Sequence, residues 1–421
     1  MGTPAPAAPM TQTAPAAPMA PSAQTAQATP SAPDEPRGAW RIVWATFTAL
    51  AVIFGISYSF AAFFEPFAAE FGAQRAEVSL VFGLSGLLYF VLGAGAGMLA
   101  DRFGPRVVTS AGMACIAAAL WAGSRAQSIT EVTLVYGMGL GLGIALVYTP
   151  SIGCVQPWFT RRRGLAAGLA SAGIGFGTLV GPLLATAAIA AWQWRGAMQA
   201  LAVGVLVLGL AATLQLKRAP VATAARGGTV PGTPLGEALR SPAFLWLYAM
   251  CFLGAPGMFV PFAHLSASAR DLGVADAQAV GLVGLIGIGS LVGRFAVGAV
   301  ADRIGRPRAL VAVMASLALS MGLWLMAGSY LPLAIFALWM GLSYGGSVSL
   351  MPALCMDLFG ARAVSSIIGV LYTGAALGNL GGPWVAGKVF DATGSYAGVI
   401  IGCGALGLVS AWAAWRAVVR R

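Results

Sequence analysis

A chain of 421 residues that is 58% hydrophobic and 9% charged, with a mean hydropathy of +0.83, carries far less charge than the roughly 25% of a soluble domain. That excludes a soluble enzyme or binding module and indicates a membrane protein that crosses the bilayer many times. The net charge of +11 does not mark a nucleic-acid binder, because its cations are scattered over short loops between apolar stretches, and no nucleic-acid partner is expected.

Residues 1–38 are expected to form a disordered cytoplasmic tail. Residues 1–36 are mostly Pro, Ala, Thr, Gln and Ser, without Lys or Arg, a composition that buries little apolar surface. The stretch lacks the basic and apolar regions of a signal peptide. Twelve apolar stretches long enough to span a bilayer follow, at roughly 40–66, 76–100, 106–126, 131–156, 163–190, 196–216, 243–268, 277–301, 308–328, 331–356, 363–389 and 396–417. With both termini on one side, 18 of the 24 Lys and Arg residues fall there and 5 on the other, so that side is read as cytoplasmic. The fold class is all-α, with twelve transmembrane helices in two six-helix bundles at 39–216 and 243–421. A basic cytoplasmic linker at 217–242 joins them.

In chain order, the first outer loop, Glu70–Ser79, is nearly neutral. The next loop carries Gly97-Met-Leu-Ala-Asp-Arg-Phe-Gly-Pro-Arg106, which recurs as Gly298-Ala-Val-Ala-Asp-Arg-Ile-Gly-Arg-Pro-Arg308, with Asp302 placed 201 positions after Asp101. Arg362 follows Arg161 by the same interval. A repeat of this length over two sets of six spans is a duplicated unit, the arrangement of a carrier that rocks two halves about a central site. Here the sequence resembles the major facilitator superfamily, whose loop between helices 2 and 3 reads G-x-L-A-D-R-x-G-R-R/K. Asp101, Arg102, Arg106, Asp302, Arg303 and Arg306 are the expected gating residues. The aspartates favour helix N-termini and arginines across the half interface, and Gly104 and Gly305 permit the tight turns.

Helix 4 offers Tyr148 as a hydroxyl for a substrate, and Arg161 to Arg163 hold its cytoplasmic end. The runs beginning at Gly93, Gly139 and Gly173 imitate pieces of a dinucleotide fingerprint. They lack its preceding strand and following acid, so close helix packing explains them better. Helix 7 carries the single histidine, His264, and then Asp271. Each is a candidate for a coupling proton or a structural or solvated group. Helices 10 and 11 bring Tyr344, Tyr372 and Asn379, each either a substrate contact or a packing residue. The five cysteines lie in apolar spans at no ligand-like spacing, so no metal, cofactor or disulfide is expected.

The segment Gly281–Arg306 sets Arg294 among glycine and aliphatic residues. A cation at the centre of a membrane helix costs at least about 2.5 to 3.5 kcal/mol, so one that persists there marks a functional site by default. Its helix face reads Gly287, Ser290, Leu291, Gly298 and Ala301, mostly small residues that suit a helix neighbour or a cavity. Arg294 either binds an anion there or satisfies carbonyls between helices and snorkels toward the interface.

Across Tyr58–Ser79, Gln156–Gly173, Phe262–Gly273 and Gly293–Arg306 the chain looks like a bacterial member of the monocarboxylate transporter and oxalate/formate antiporter branch. The resemblance implies that Arg294 binds a substrate carboxylate and that Asp271 takes part in proton coupling. It departs at three places. Ser290 stands where animal carriers have an aspartate, Arg41 to Trp44 lack the acidic-glycine signature of helix 1, and Ala375 stands near the lysine of oxalate exchangers. One buried cation matches one negative charge.

The reading is therefore a secondary active carrier of lactate- or pyruvate-like acids, coupled to protons, with Arg294, Tyr148, Tyr344, Tyr372 and Asn379 at the substrate. It is not read as an enzyme. It would be a monomer with both termini cytoplasmic in a bacterial inner membrane. An organic-anion exchanger, a proton-coupled exporter of drugs or metabolites, and a carrier-like membrane sensor are the alternatives.

Overall fold

The computed structural model describes residues 1–3, 36, 38–159, 163–218, 232–360 and 362–419. Most of the tail, Arg161 and Arg162, and residues 219–231 of the linker lie outside the described residues. Among the described residues, ten continuous helical runs are long and apolar enough to cross a membrane. One of them, Leu165–Thr213, turns at Gln193, where φ is 56° and ψ 174°. Side-chain-bearing residues adopt that backbone rarely, and here it separates two crossings. Val364–Thr393 adds another helix of 30 residues.

The helices are numbered by crossing: α1 Ala39–Phe71, with a bend at Ser59, α2 Arg75–Phe103, α3 Pro105–Gly123, α4 Ile129–Val155, α5 at 163–192 and α6 at 194–213. The second set is α7 Pro242–Asp271, α8 Asp276–Ile304, α9 Arg306–Leu325, α10 Tyr330–Phe359, α11 Val364–Thr393 and α12 Ala397–Val419. In hydrocarbon each backbone polar group needs an internal partner, which is why apolar runs of this length become helices.

The packing is pseudo-symmetric. Helix α1 packs on α5 as α7 packs on α11; α2 on α4 as α8 on α10; α3 on α4 as α9 on α10; α3 on α6 as α9 on α12. Adding six to each number turns the first member of each pair into the second. Contacts between the two sets obey the same rule, α2 with α11 and α8 with α5. Small residues permit this approach: a Cβ on Gly175 would lie 3.0 Å from the Gly287 carbonyl oxygen, and one on Gly141 would lie 2.6 Å from that of Ser85. The repeated loop motif has matching backbones, with φ 93° and ψ 148° at Gly104 and φ 88° and ψ 140° at Gly305. That region favours glycine, and a proline then sits in the first turn of α3 and of α9, where its missing N–H costs no hydrogen bond.

Candidate functional site

The helices of both sets border a cavity lined by residues of α1, α2, α4, α5 and α7 to α11. Arg294 is the one charged side chain among its described lining residues. It stands on the glycine-rich face of α8, where small neighbours let α5 and α10 close around it; Gly293 packs on the backbone of Leu342 and Gly345 on that of Ser290. The side chain is 8% exposed. Its Nε and Nη2 are buried without a hydrogen-bond partner among the described residues. A guanidinium has five donors in a planar fork and no acceptor, so this cavity presents unspent donors to an anion.

The cavity brings Tyr148, Tyr344 and Tyr372 together with Arg294. Two aromatic hydroxyls that sequence reasoning passed over join them. Tyr89 lines the cavity, and Tyr58 lies 3.2 Å from Tyr344, hydroxyl to hydroxyl, across the two helix sets. Tyr58 also stacks on Phe262 of α7, with ring centroids 4.1 Å apart. Their available signal was a phenol in mid-span, hidden inside an aromatic run. Ala375 lines the cavity, so the position compared with the exchangers' lysine does face this space.

Asn379 is not among the cavity-lining residues. It lies one turn beyond Ala375 on the same helix face, where α11 has closed on α2; its Nδ2 approaches the Gly83 carbonyl at 3.5 Å and crowds Gly86, and its Oδ1 has no partner among the described residues. Ser290, one turn before Arg294, is buried, and its hydroxyl is likewise unpartnered.

Asp271 and His264 belong to a different place, a polar seam where α2 meets α7, α11 and the start of α12. Arg75 donates from Nη1 and Nη2 to the two oxygens of Asp271 at 2.8 and 2.7 Å, and from Nη1 to the Tyr396 hydroxyl at 2.7 Å. Its guanidinium lies 3.9 Å over the Phe390 ring. The backbone N–H groups of Arg75 and Ala76 donate to Asp391, each at 3.1 Å, so a carboxylate of the second set caps the positive end of α2. Gln74 and Glu77 complete a capping box there.

His264 is fully buried. Its Nδ1 lies 3.0 Å from the Tyr396 hydroxyl, and its Nε2 lies 2.9 Å from the Pro383 carbonyl and 3.0 Å from the Ser79 hydroxyl. A carbonyl only accepts, which assigns the proton to Nε2. Burial raises the Tyr396 phenol above its ordinary pKa, so it is protonated and donates to Nδ1. A directed chain of hydrogen bonds thus runs from Arg75 through Tyr396 and His264 to Pro383.

The loop-motif end is built differently. Asp101, Arg102, Arg106, Asp302 and Arg303 are exposed. Arg218 donates to the Ala100 and Asp101 carbonyls, the former at 3.2 Å. Arg306 pairs with Asp357 at 2.8 Å within the second set. Among the described residues, Arg75–Asp271 is the ion pair that joins the two sets; Arg195–Glu70 and Arg270–Asp276 each stay within one.

The profile of the Major Facilitator Superfamily matches residues 45–383 and 257–421. Monocarboxylate transporter 13 of Bos taurus is 30% identical over 380 residues, covering 89% of this chain and 88% of that protein. Monocarboxylate transporter 3 of Rattus norvegicus is 33% identical, covering 86% and 76%. Among solved structures, a bacterial homolog of the human lysosomal transporter Spinster, in an inward-facing and occupied conformation, superposes with a TM-score of 0.71 at 15% identity over 91% of this chain and 97% of that one. On this match of sequence and fold, the chain belongs to the major facilitator superfamily and is homologous to proteins named monocarboxylate transporters.

Proposed function

We propose that this protein is a secondary active transporter of small monocarboxylates such as lactate or pyruvate, coupled to protons and working by alternating access between residues 39–216 and 243–421. The observation that carries the reading is Arg294, buried with two nitrogens unpartnered in a cavity whose described lining holds no acidic residue. A carboxylate can take two parallel hydrogen bonds from that fork. Tyr148, Tyr344 and Tyr372 then orient the remainder of the acid. The resident alanine at Ala375 leaves one cation for one anionic charge, which favours a monocarboxylate over a dicarboxylate. Without cargo the guanidinium stays unpaired during closure, and an unpaired buried charge is costly, so turnover requires the anion.

The polar seam supplies the second half of the mechanism. It lies at the outer end if the arginine-rich loops face the cytoplasm, and it holds that end shut. Protonating Asp271 neutralises the partner of Arg75. Protonating His264 puts a donor where Tyr396 now donates. Either event breaks the chain of hydrogen bonds and opens the cavity outward, so proton arrival and substrate entry are linked. The motif loops at Asp101 and Asp302 are free of cross-set ion pairs among the described residues in this state, and they would latch the inner end in the opposite one.

The test is uptake of labelled pyruvate into proteoliposomes with and without an inward proton gradient. Gradient-stimulated, saturable uptake that vanishes in Arg294→Ala is expected. Unchanged uptake in that variant would remove the central role of Arg294.

A further inference from the structure

Beyond the guanidinium and a few hydroxyls, the lining of this cavity is mostly apolar. The second helix set contributes a methionine wall, Met250 and Met258 from α7, Met314 from α9 and Met351 from α10. Three of the four are buried, and the Met314 terminal methyl rests where Gly254 leaves room for it, 2.8 Å from the position a Cβ would take. The first set contributes the aromatic rings of Phe54, Tyr89 and Phe90 to the same lining. Phe90 is edge-on to Phe259 and Tyr372 at 6.0 and 5.7 Å, and Phe54 is edge-on to Tyr148 at 5.5 Å. These methionines and rings line one space together with Arg294, the mostly apolar lining with a few polar groups that is usual for small-molecule sites.

Methionine is the side chain that refits to irregular apolar shapes, and its sulfur makes favourable contacts with aromatic rings. Four of them sharing a lining with aromatic rings suit an apolar body of variable outline better than a compact hydroxy acid.

We infer that the preferred substrates are monocarboxylates with a branched or aromatic body, held by Arg294 at the carboxylate and by the methionine and aromatic walls at the other end. This rests on the reading of Arg294 as the carboxylate site and adds the class of the cargo's body. Each buried methylene should then improve affinity roughly three- to fourfold, the ratio that corresponds to about 0.8 kcal/mol of apolar burial. The gain should continue until the cavity is filled.

The test uses the full chain in lipid nanodiscs, with radiolabelled phenylacetate displaced by acetate, butyrate, hexanoate and phenylacetamide. Saturable phenylacetate binding is expected. Acetate should displace it about 80- to 250-fold less well than hexanoate, following the same increment over four methylenes, and the uncharged amide should fail. The Met351→Gln and Met258→Gln variants should lower the hexanoate-to-acetate affinity ratio. That ratio is insensitive to the fraction of folded protein. Equal displacement by acetate and hexanoate in the wild type, or no phenylacetate binding, overturns the inference. Arg294-dependent pyruvate uptake would in that case persist, and its absence would instead bring down the carboxylate reading as well.

Discussion

Two arginines of this protein, Arg75 and Arg294, occupy opposite chemical situations. Arg75 at the seam has a bidentate carboxylate, a phenol and an aromatic face. Arg294 in the cavity is 8% exposed and has two nitrogens without a hydrogen-bond partner among the described residues. Partly exposed ion pairs contribute only about 0.2 to 1 kcal/mol each, and the Arg75–Asp271 side chains are 18% and 37% exposed. The seam therefore holds by the number of its contacts, helix capping and buried histidine included, and it can be undone step by step. A buried guanidinium left unpaired is a liability that folding alone does not repay. On the proposed mechanism, the paired arginine belongs to a gate and the unpaired one to a substrate site.

Four experiments break or sharpen this contrast. The largest effect is expected from Arg294→Ala, which should lower pyruvate uptake at least about 100-fold, the scale of a lost charge-assisted pair, while leaving the melting temperature of the purified protein unchanged or raised. Arg75→Ala should do the reverse in kind, lowering the melting temperature with a smaller loss of uptake. If both variants melt and transport alike, the two arginines do not differ as described.

Ser290→Asp comes next. It sets a carboxylate one turn from Arg294, a spacing at which helix side chains meet, and so gives the cavity arginine a partner of its own. Pyruvate binding near pH 7.5 should weaken on the order of tenfold, as a captive carboxylate competes with the travelling one, and should recover as acid neutralises the new group. Undiminished affinity would mean that Ser290 does not face the guanidinium.

Asp271→Asn should loosen the seam. With a cysteine at Ala76, which is buried under Gly387, alkylation by an impermeant thiol reagent should speed up several-fold relative to the same cysteine with Asp271 intact. An unchanged rate would mean that the ion pair does not hold this end closed. The smallest effect is expected from His264→Gln, where the amide can still donate to the Pro383 carbonyl but fits Tyr396 less well. Uptake should fall about threefold, in line with one neutral hydrogen bond, and its stimulation by a proton gradient should shrink. Full stimulation would separate His264 from coupling.

Much of this was legible in the sequence because membrane helices advertise themselves through length and hydropathy, and because a duplicated loop gives its two copies away. Arg294 was legible for the same reason, as a charge in an apolar run has no other camouflage. Arg75 was not, since a loop arginine in a nearly neutral segment gives no sign that Asp271, Tyr396 and Phe390, all far along the chain, converge on it. Tyr58 and Tyr89 read as ordinary aromatic filling. Asn379 shares a helix face with Tyr372 and Ala375, and periodicity assigns the face without the depth; one further turn carried it from the open cavity to the closed contact with α2. The methionine wall was silent because methionine in a membrane span looks like any other apolar residue until neighbouring helices show what it surrounds.

The unpaired state of Arg294 has an electrical consequence. If the anion neutralises its charge and no coupling proton is bound, the loaded carrier reorients without moving that charge through the transmembrane field, whereas the empty carrier displaces it; a proton carried with the anion restores the balance. A full elementary charge is worth about 2.3 kcal/mol per 100 mV, so even a fraction of the field gives the empty return step a measurable voltage dependence. Exchange between loaded forms that carry no proton would remain nearly blind to potential.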